Sequence, residues 1–259
     1  MRPLYPLGRK AHDPVAFACH LQAHDVLNLS TLPSRPAARD WSMKDGVGFE
    51  YPMLRNGDLG ICVIASLIHK FLTAARQTGV PFLPTDEDAL DGYRRFGGYV
   101  DGDPSTDNGC VMLDVGRRVM SEPLAGQTIK GIVAVNPRNL DLVEAANEFF
   151  GGLWLGWDLP IAWQQADIWG RSPNGSTSGD WSPASWGRHA THSPLWSPRL
   201  IGVETWTEHR PVEVAAIPTY CSEAYAVLTD HLWAVLTGDK CPAGIDVQKL
   251  VDLLPVVGS

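Results

Sequence analysis

Ile61, Ile64, Ala65, Ile68, Leu72 and Ala75 recur at helical spacing, and the run stops at Thr78-Gly79 with Pro81 beyond. A helix with such an apolar stripe needs a second layer to cover it. The rest of the chain supplies one. Thr85-Asp86-Glu87-Asp88 reads as a capping box opening a second helix that ends near Gly97-Gly98, and a third runs from about Gly109 to Met120. Gln127 to Asn136 is rich in β-branched residues and predicts a strand. Asn139 to Phe150 follows as a helix and Gly152 to Asp158 as a strand. After a long Gly-, Ser-, Pro- and Trp-rich segment, 160–187, come strands over Arg188–Trp196 and Arg199–Trp206, with strand candidates at Val212–Ala215 and Ala224–Leu228. Ile245–Leu254 closes the chain as an amphipathic helix. Helices first and a mostly antiparallel sheet afterwards make an α+β pattern.

At 259 residues the chain is one large domain plus an appendage. Residues 1–50, punctuated by Pro3, Pro6, Pro14, Pro33 and Pro36, read as an extended arm with a short helical candidate at Val15–Leu27. Residues 51–259 form the domain, its helical half about 51–125 and its sheet half about 126–259. Hydrophobic residues at 44% and charged ones at 19% exclude a disordered or fibrous chain. Apolar runs such as Ile61–Leu67 fall far short of the ~20 residues of a membrane span, so no membrane partner is expected. A net charge of −8 argues against nucleic acid. Prolines stand where a secretory apolar region would lie, so no secretion signal is read and a cytoplasmic setting is expected.

Five cysteines, Cys19, Cys62, Cys110, Cys221 and Cys241, show no CxxC pairing, so neither a metal nor a cofactor is expected and reduced thiols are. His20 and His24 stand at i, i+4 without a third ligand and read as a solvated face. Asp101 to Asp107 starts like a calcium loop, but Thr106 and Met112 occupy its sixth and twelfth positions, so it reads as a polar turn. Gly175-Ser176-Thr177-Ser178-Gly179 lacks the central serine of a nucleophile elbow.

Cys62 is different. It stands in the first turn of the strongest helix, after the turn Arg55-Asn56-Gly57-Asp58-Leu59-Gly60. Free N–H groups and the helix dipole there favour a thiolate, although a buried structural cysteine also fits a first turn. A thiol nucleophile needs a histidine held by a third group. His189 opens a strand straight after the long loop, and Glu204 ends the next strand where a carboxylate could orient the ring. His192 is the competing base, three residues along and therefore on the opposite face.

These segments resemble those of papain-like cysteine peptidases. Asn56-Gly57-Asp58-Leu59-Gly60-Ile61-Cys62 resembles the stretch in which an amide side chain precedes the nucleophile by six residues. His189 and Glu204-Thr205-Trp206 resemble the family's later His and Asn-Ser-Trp segments, 127 residues separating Cys62 from His189 against about 130 in the papain type. Thr106-Asp107-Asn108-Gly109 resembles the glycine-containing border of the substrate cleft. Papain-like proteins of bacteria and their phages are similar in all four segments, from about Asn56 to Leu228. The resemblance implies a helical half carrying the Cys62 helix packed on an antiparallel sheet half. It implies a hydrolase cleaving a peptide or amide through Cys62, His189 and Glu204, with Asn56 as oxyanion donor, and Asn108, Gly109, Trp186 and Trp206 around the substrate. Asn56 stands where papain has glutamine, Glu204 where it has asparagine, and Val63 where it has tryptophan. The alternative is a catalytically silent papain-like module, in a phage setting a virion-associated component whose arm drapes over another subunit.

Overall fold

Helix α1 (Cys62–Thr78) forms where the apolar stripe predicts, and Gly79 ends it in the left-handed conformation at φ 76°. The structure is a computed structural model and describes residues 4–18, 20–236, 245, 246 and 248. The expected helix over Ile245–Leu254 therefore lies almost wholly outside the described residues, as do Cys19 and Cys241. Every residue of α1 from Cys62 to Thr73 is buried, the polar ones included. Burial is possible because each polar side chain finds a partner. Ser66 Oγ accepts the Trp154 indole N–H at 2.7 Å, His69 Nε2 meets the Pro52 carbonyl at 2.8 Å, and Lys70 Nζ donates to the Phe150 and Gly151 carbonyls at 2.6 Å each. These bonds tie the helix lengthwise to the sheet half and fix where its first turn points.

Helix α2 (Asp86–Gly92) carries the expected capping box between Thr85 and Asp88 and runs on into a wider helical turn to Gly97. Helix α3 (Met112–Val119) starts three residues later than the sequence suggests. Gly109 has turned left-handed (φ 70°) and its N–H is committed to the Tyr93 hydroxyl at 2.8 Å. Asn139 caps helix α4 (Leu140–Phe149) through Leu142 N–H.

The sheet comprises β1 (Arg39–Asp40), β2 (Ile129–Ala134), β3 (Leu153–Leu159), β4 (Gly187–Trp196), β5 (Leu200–Thr205), β6 (Glu208–Glu213) and β7 (Cys221–Thr229). Their order is β2-β7-β3-β4-β5-β6, with β1 on the far end of β4, and every pairing is antiparallel. Both faces are covered. Trp154, Tyr225, Val227 and Ile132 face a core shared with α1. Their neighbours Leu153, Leu155, Trp157, Ala224 and Ala226 face a second core with α4 and Trp163, Trp169 and Trp206. The alternation of strand side chains thus divides the late tryptophans between two layers. Segment 160–187 is pinned across the second core. Trp163 stacks on Trp169 at 5.1 Å, Trp169 exchanges backbone bonds with Pro211 and Glu213, and Tyr220 donates to the Trp181 carbonyl at 3.0 Å. The arm is part of the same body, since β1 extends the sheet and Ala134 N–H bonds the Leu21 carbonyl at 2.7 Å. Among the described residues no helix is long and apolar enough to cross a membrane.

Candidate active site

The turn before α1 is built on two left-handed residues, Leu54 (φ 53°) and Arg55 (φ 61°). They reverse the chain so that Asn56 N–H bonds the Met53 carbonyl and Leu59 N–H the Arg55 carbonyl. Asp107 fastens this turn from the opposite side. Its Oδ1 accepts Gly60 N–H at 2.9 Å and the Tyr93 hydroxyl at 2.6 Å, and the Tyr93 oxygen in turn accepts Gly109 N–H. The Thr106–Gly109 segment is therefore bolted to the Cys62 turn. Asn56 is buried, and its Oδ1 has no hydrogen-bond partner among the described residues. Such an orphaned amide beside a helix start is uncommon, and it stands ready for an additional partner.

Cys62 Sγ is fully buried and accepts the Ala190 N–H at 3.4 Å. The amide immediately after His189 thus meets the sulfur. His189 Nε2 lies 2.6 Å from the Thr205 hydroxyl, and its Nδ1 has no partner among the described residues. The ring stacks on Trp206 with centroids 4.3 Å apart. Trp206 and Thr207 form a two-residue hairpin, both left-handed (φ 51° and 59°), which folds the indole back over the histidine. Trp186 is half-buried, 5.8 Å from Trp206.

The group expected to hold His189, Glu204, does not do so. Its carboxylate pairs with His209 Nδ1. Strand register is the reason. His192 stands opposite Glu204 in the β4–β5 ladder, so Glu204 shares the His192 face, while Thr205 shares the face of Thr191 and His189. His192 itself is spent on Thr73 Oγ1 (2.8 Å) and the Leu153 carbonyl (3.2 Å). Alternation within β4 sets His192 aside, but only the β4–β5 register selects Thr205 over Glu204. Asn108 is exposed and its side chain turns to the Ser105 carbonyl at 2.7 Å. The cleft wall is Gly109 and Cys110.

Nothing in the sequence signals what fills the cleft. Tyr5 stacks on Trp206 at 5.1 Å, and Leu7 lies against Gly187, where a Cβ would come within 2.6 Å of it. Gly8 passes between Gly60 and Gly109: a Cβ on Gly8 would stand 1.6 Å from the Gly60 oxygen, and one on Gly109 1.8 Å from the Gly8 oxygen. The Gly8 N–H is near enough to Cys62 Sγ to favour its thiolate. Its carbonyl accepts Cys110 N–H at 2.8 Å, and Lys10 N–H donates to the Cys110 carbonyl at 2.8 Å. Arg9 then turns inward to Glu223 and Asp158, at 2.5 Å each. Removing one member of such a buried pair typically costs ~3–5 kcal/mol, which holds the segment in place.

The filled cleft is chemically quiet. Burial raises the Cys62 thiol pKa, against the donors that favour thiolate. Burial first, and then the Arg9 charge, lower His189 to about 3. Thiol and imidazole are both neutral here. The Gly8 carbonyl is committed to Cys110, so the segment presents an N–H rather than a carbonyl to the sulfur.

No protein-family model and no curated protein sequence matches the chain. Solved structures do. Xylellain, a cysteine protease from Xylella fastidiosa, superposes with a TM-score of 0.62 at 13% identity, over 87% of this chain and 96% of that one. A Carica candamarcensis cysteine protease gives 0.52 at 14% identity, over 75% and 99%. The cysteine protease and lectin-like domains of a Clostridium difficile surface layer associated protein give 0.53 at 12% identity, over 76% of this chain and 52% of that one. The fold is that of the papain-like cysteine proteases. In this fold the helical half carries Cys62 and the sheet half carries His189. Among the described residues no three His, Cys, Asp or Glu side chains converge as metal ligands, and His20 Nε2 instead meets the Ile132 carbonyl at 2.8 Å.

Proposed function

We propose that the chain is a papain-like thiol hydrolase acting on a peptide or amide bond, held latent by residues 5–10 of its own arm. One observation carries this reading: the Cys62 sulfur sits at a helix start against the His189–Ala190 backbone, with the ring's Nε2 held by Thr205 and Nδ1 left free. Once the arm leaves, water and substrate replace it. The burial that keeps both groups neutral is relieved, and Arg9 no longer repels an imidazolium. Nε2–H then donates to Thr205 Oγ1 while Nδ1 takes the thiol proton. The thiolate attacks the carbonyl carbon, His189 returns the proton to the departing amine, and water hydrolyses the thioester. The Cys62 N–H precedes the first intrahelical bonds, made by Ile64 and Ala65, so with the Asn56 amide it can receive the developing oxyanion. Cys62 is the nucleophile, His189 the base and Thr205 the positioning residue.

Complete burial of Cys62 favours a second reading, a papain-like module whose chemistry stays silent and which serves in binding. Gly8→Val separates the two, because its side chain cannot pass Gly60. Hydrolysis of a fluorogenic peptide library by this variant, abolished by Cys62→Ala, supports the hydrolase. An opened cleft whose Cys62 reacts with iodoacetamide no faster than Cys110 or Cys221 supports the silent module.

A further inference from the structure

Arg9 is held as a ligand is held. Its side chain is fully buried. Nη1 donates to Glu223 Oε1 at 2.5 Å and, at 3.5 Å, to the Lys10 carbonyl. Nη2 donates to Asp158 Oδ1 at 2.5 Å, Ser222 Oγ at 2.9 Å and the Trp157 carbonyl at 3.1 Å. Glu223 is itself fully buried, its second oxygen accepting the Tyr225 hydroxyl at 2.8 Å. Gly156 leaves the room: a Cβ there would lie 2.6 Å from Glu223 Cγ and 3.0 Å from Arg9 Cδ. Glycine weakens a strand interior and often marks a close approach, which here is the arginine stem.

Two carboxylates, a hydroxyl and a carbonyl converge from β3 and β7 on a planar fork. A guanidinium satisfies them together, whereas an ammonium offers one point charge. Arg188 also reaches Asp158, at 3.3 Å, but Glu223 is fully buried, and a buried carboxylate without a cation is unfavourable, so displacing the arm favours an occupant that brings a positive charge to Glu223. Gly8 stands at the sulfur and Arg9 is the next residue, so the pocket reads a side chain one residue from the group presented to Cys62.

We propose that the pocket of Gly156, Asp158, Ser222 and Glu223 selects substrates carrying an arginine one residue from the bond to be cut, with Arg9 as its built-in occupant. The cut rests on the hydrolase reading; the pocket does not. A substrate arginine takes over the partners of Arg9 and so competes with the arm that closes the cleft.

The test uses full-length Arg9→Ala. Internally quenched peptides are scanned position by position with Arg, Lys, Leu and Glu. Cleavage with arginine one residue from the cut bond, at least tenfold faster in kcat/KM than with leucine or lysine, is expected. The same preference should vanish in Arg9→Ala/Glu223→Gln. Equal turnover of the arginine and leucine series, or a preference that survives Glu223→Gln, overturns the proposal and leaves the hydrolase standing. Binding is read separately by thermal shift. N-acetylarginine methylamide should raise the Tm of Arg9→Ala by several degrees, and N-acetylleucine methylamide should not. That shift without any hydrolysis supports the pocket and counts against the hydrolase. No arginine-specific shift overturns the pocket. If Arg9→Ala does not fold, Arg9→Lys goes into the same two assays, since it keeps a cation over Glu223 but loses the fork, and the arginine ligand should still displace it.

Discussion

His189 and Thr205 face each other across β4 and β5, ring nitrogen to hydroxyl at 2.6 Å, while the acidic neighbour Glu204 lies on the opposite face of the sheet, paired with His209. A hydroxyl, rather than a carboxylate, therefore meets this ring nitrogen. It can accept the Nε2 proton without drawing the ring into an ion pair. The remaining nitrogen, Nδ1, has no hydrogen-bond partner among the described residues.

Thr205→Val keeps the ring but removes its anchor. General base catalysis contributes about 10²–10⁴-fold, and a misdirected imidazole forfeits part of that. In the Gly8→Val background kcat should fall about tenfold or more, with iodoacetamide labelling of Cys62 slowed alongside it. Glu204→Gln should leave both rates within about twofold, since its partner is His209.

Asn56→Ala tests the oxyanion site apart from the thiol. Loss of one donor of this kind typically costs ~10²–10³ in kcat. Labelling of Cys62 in the same protein should be unchanged, because alkylation develops no oxyanion. A parallel fall in both would reassign Asn56 to shaping the turn.

The pH dependence of thiol labelling should differ between the closed and opened cleft. Labelling follows the thiolate fraction. With the arm in place the Cys62 pKa is raised by burial, so the rate climbs only above the usual thiol range. In Gly8→Val the helix start and a newly protonatable His189 favour thiolate, and the curve should shift to lower pH. Stopped rates across pH 5–10, with mass-spectrometric assignment of the site, give the comparison.

Acid should destabilise the fold through three buried rings, one of them His192, which burial holds well below the usual imidazole range. Burial lowers His69 to about 4 and His189 to about 3, both below the unfolded value of about 6.5. Between those limits the unfolded chain binds more protons, so stability rises with pH and is lost as pH falls from about 6.5 toward 4. His69 alone accounts for ~3 kcal/mol on that scale. The Tm should drop between pH 7 and 4.5, and His69→Gln should flatten the drop.

How much of this was legible follows from the range of the interactions. Helix α1 was readable from its stripe and Gly79, the capping box from Thr85 and Asp88, and β2 from its β-branched composition, because these signals lie within a few residues of each other. Cys62 and His189 emerged because helix starts and strand starts are local events. Burial of all of α1 from Cys62 to Thr73 was not readable. The stripe predicts one covered face, and only the positions of Trp154, Pro52 and Phe150 make the polar residues tolerable inside.

The sequence by itself determined most of the elements and their order, though not β1 or the extent of β6, and the cysteine and histidine they carry. The tertiary structure decided the rest. Whether Thr205 or Glu204 meets His189 depends on strand parity against a neighbouring strand. Arg9 acquires a role only by bonding Asp158 and Glu223, 149 and 214 residues away in sequence. Local propensity carries no record of such distant partners. They are fixed when the sheet closes and leaves, beside Gly156, a pocket where Asp158 and the fully buried Glu223 have room for a guanidinium.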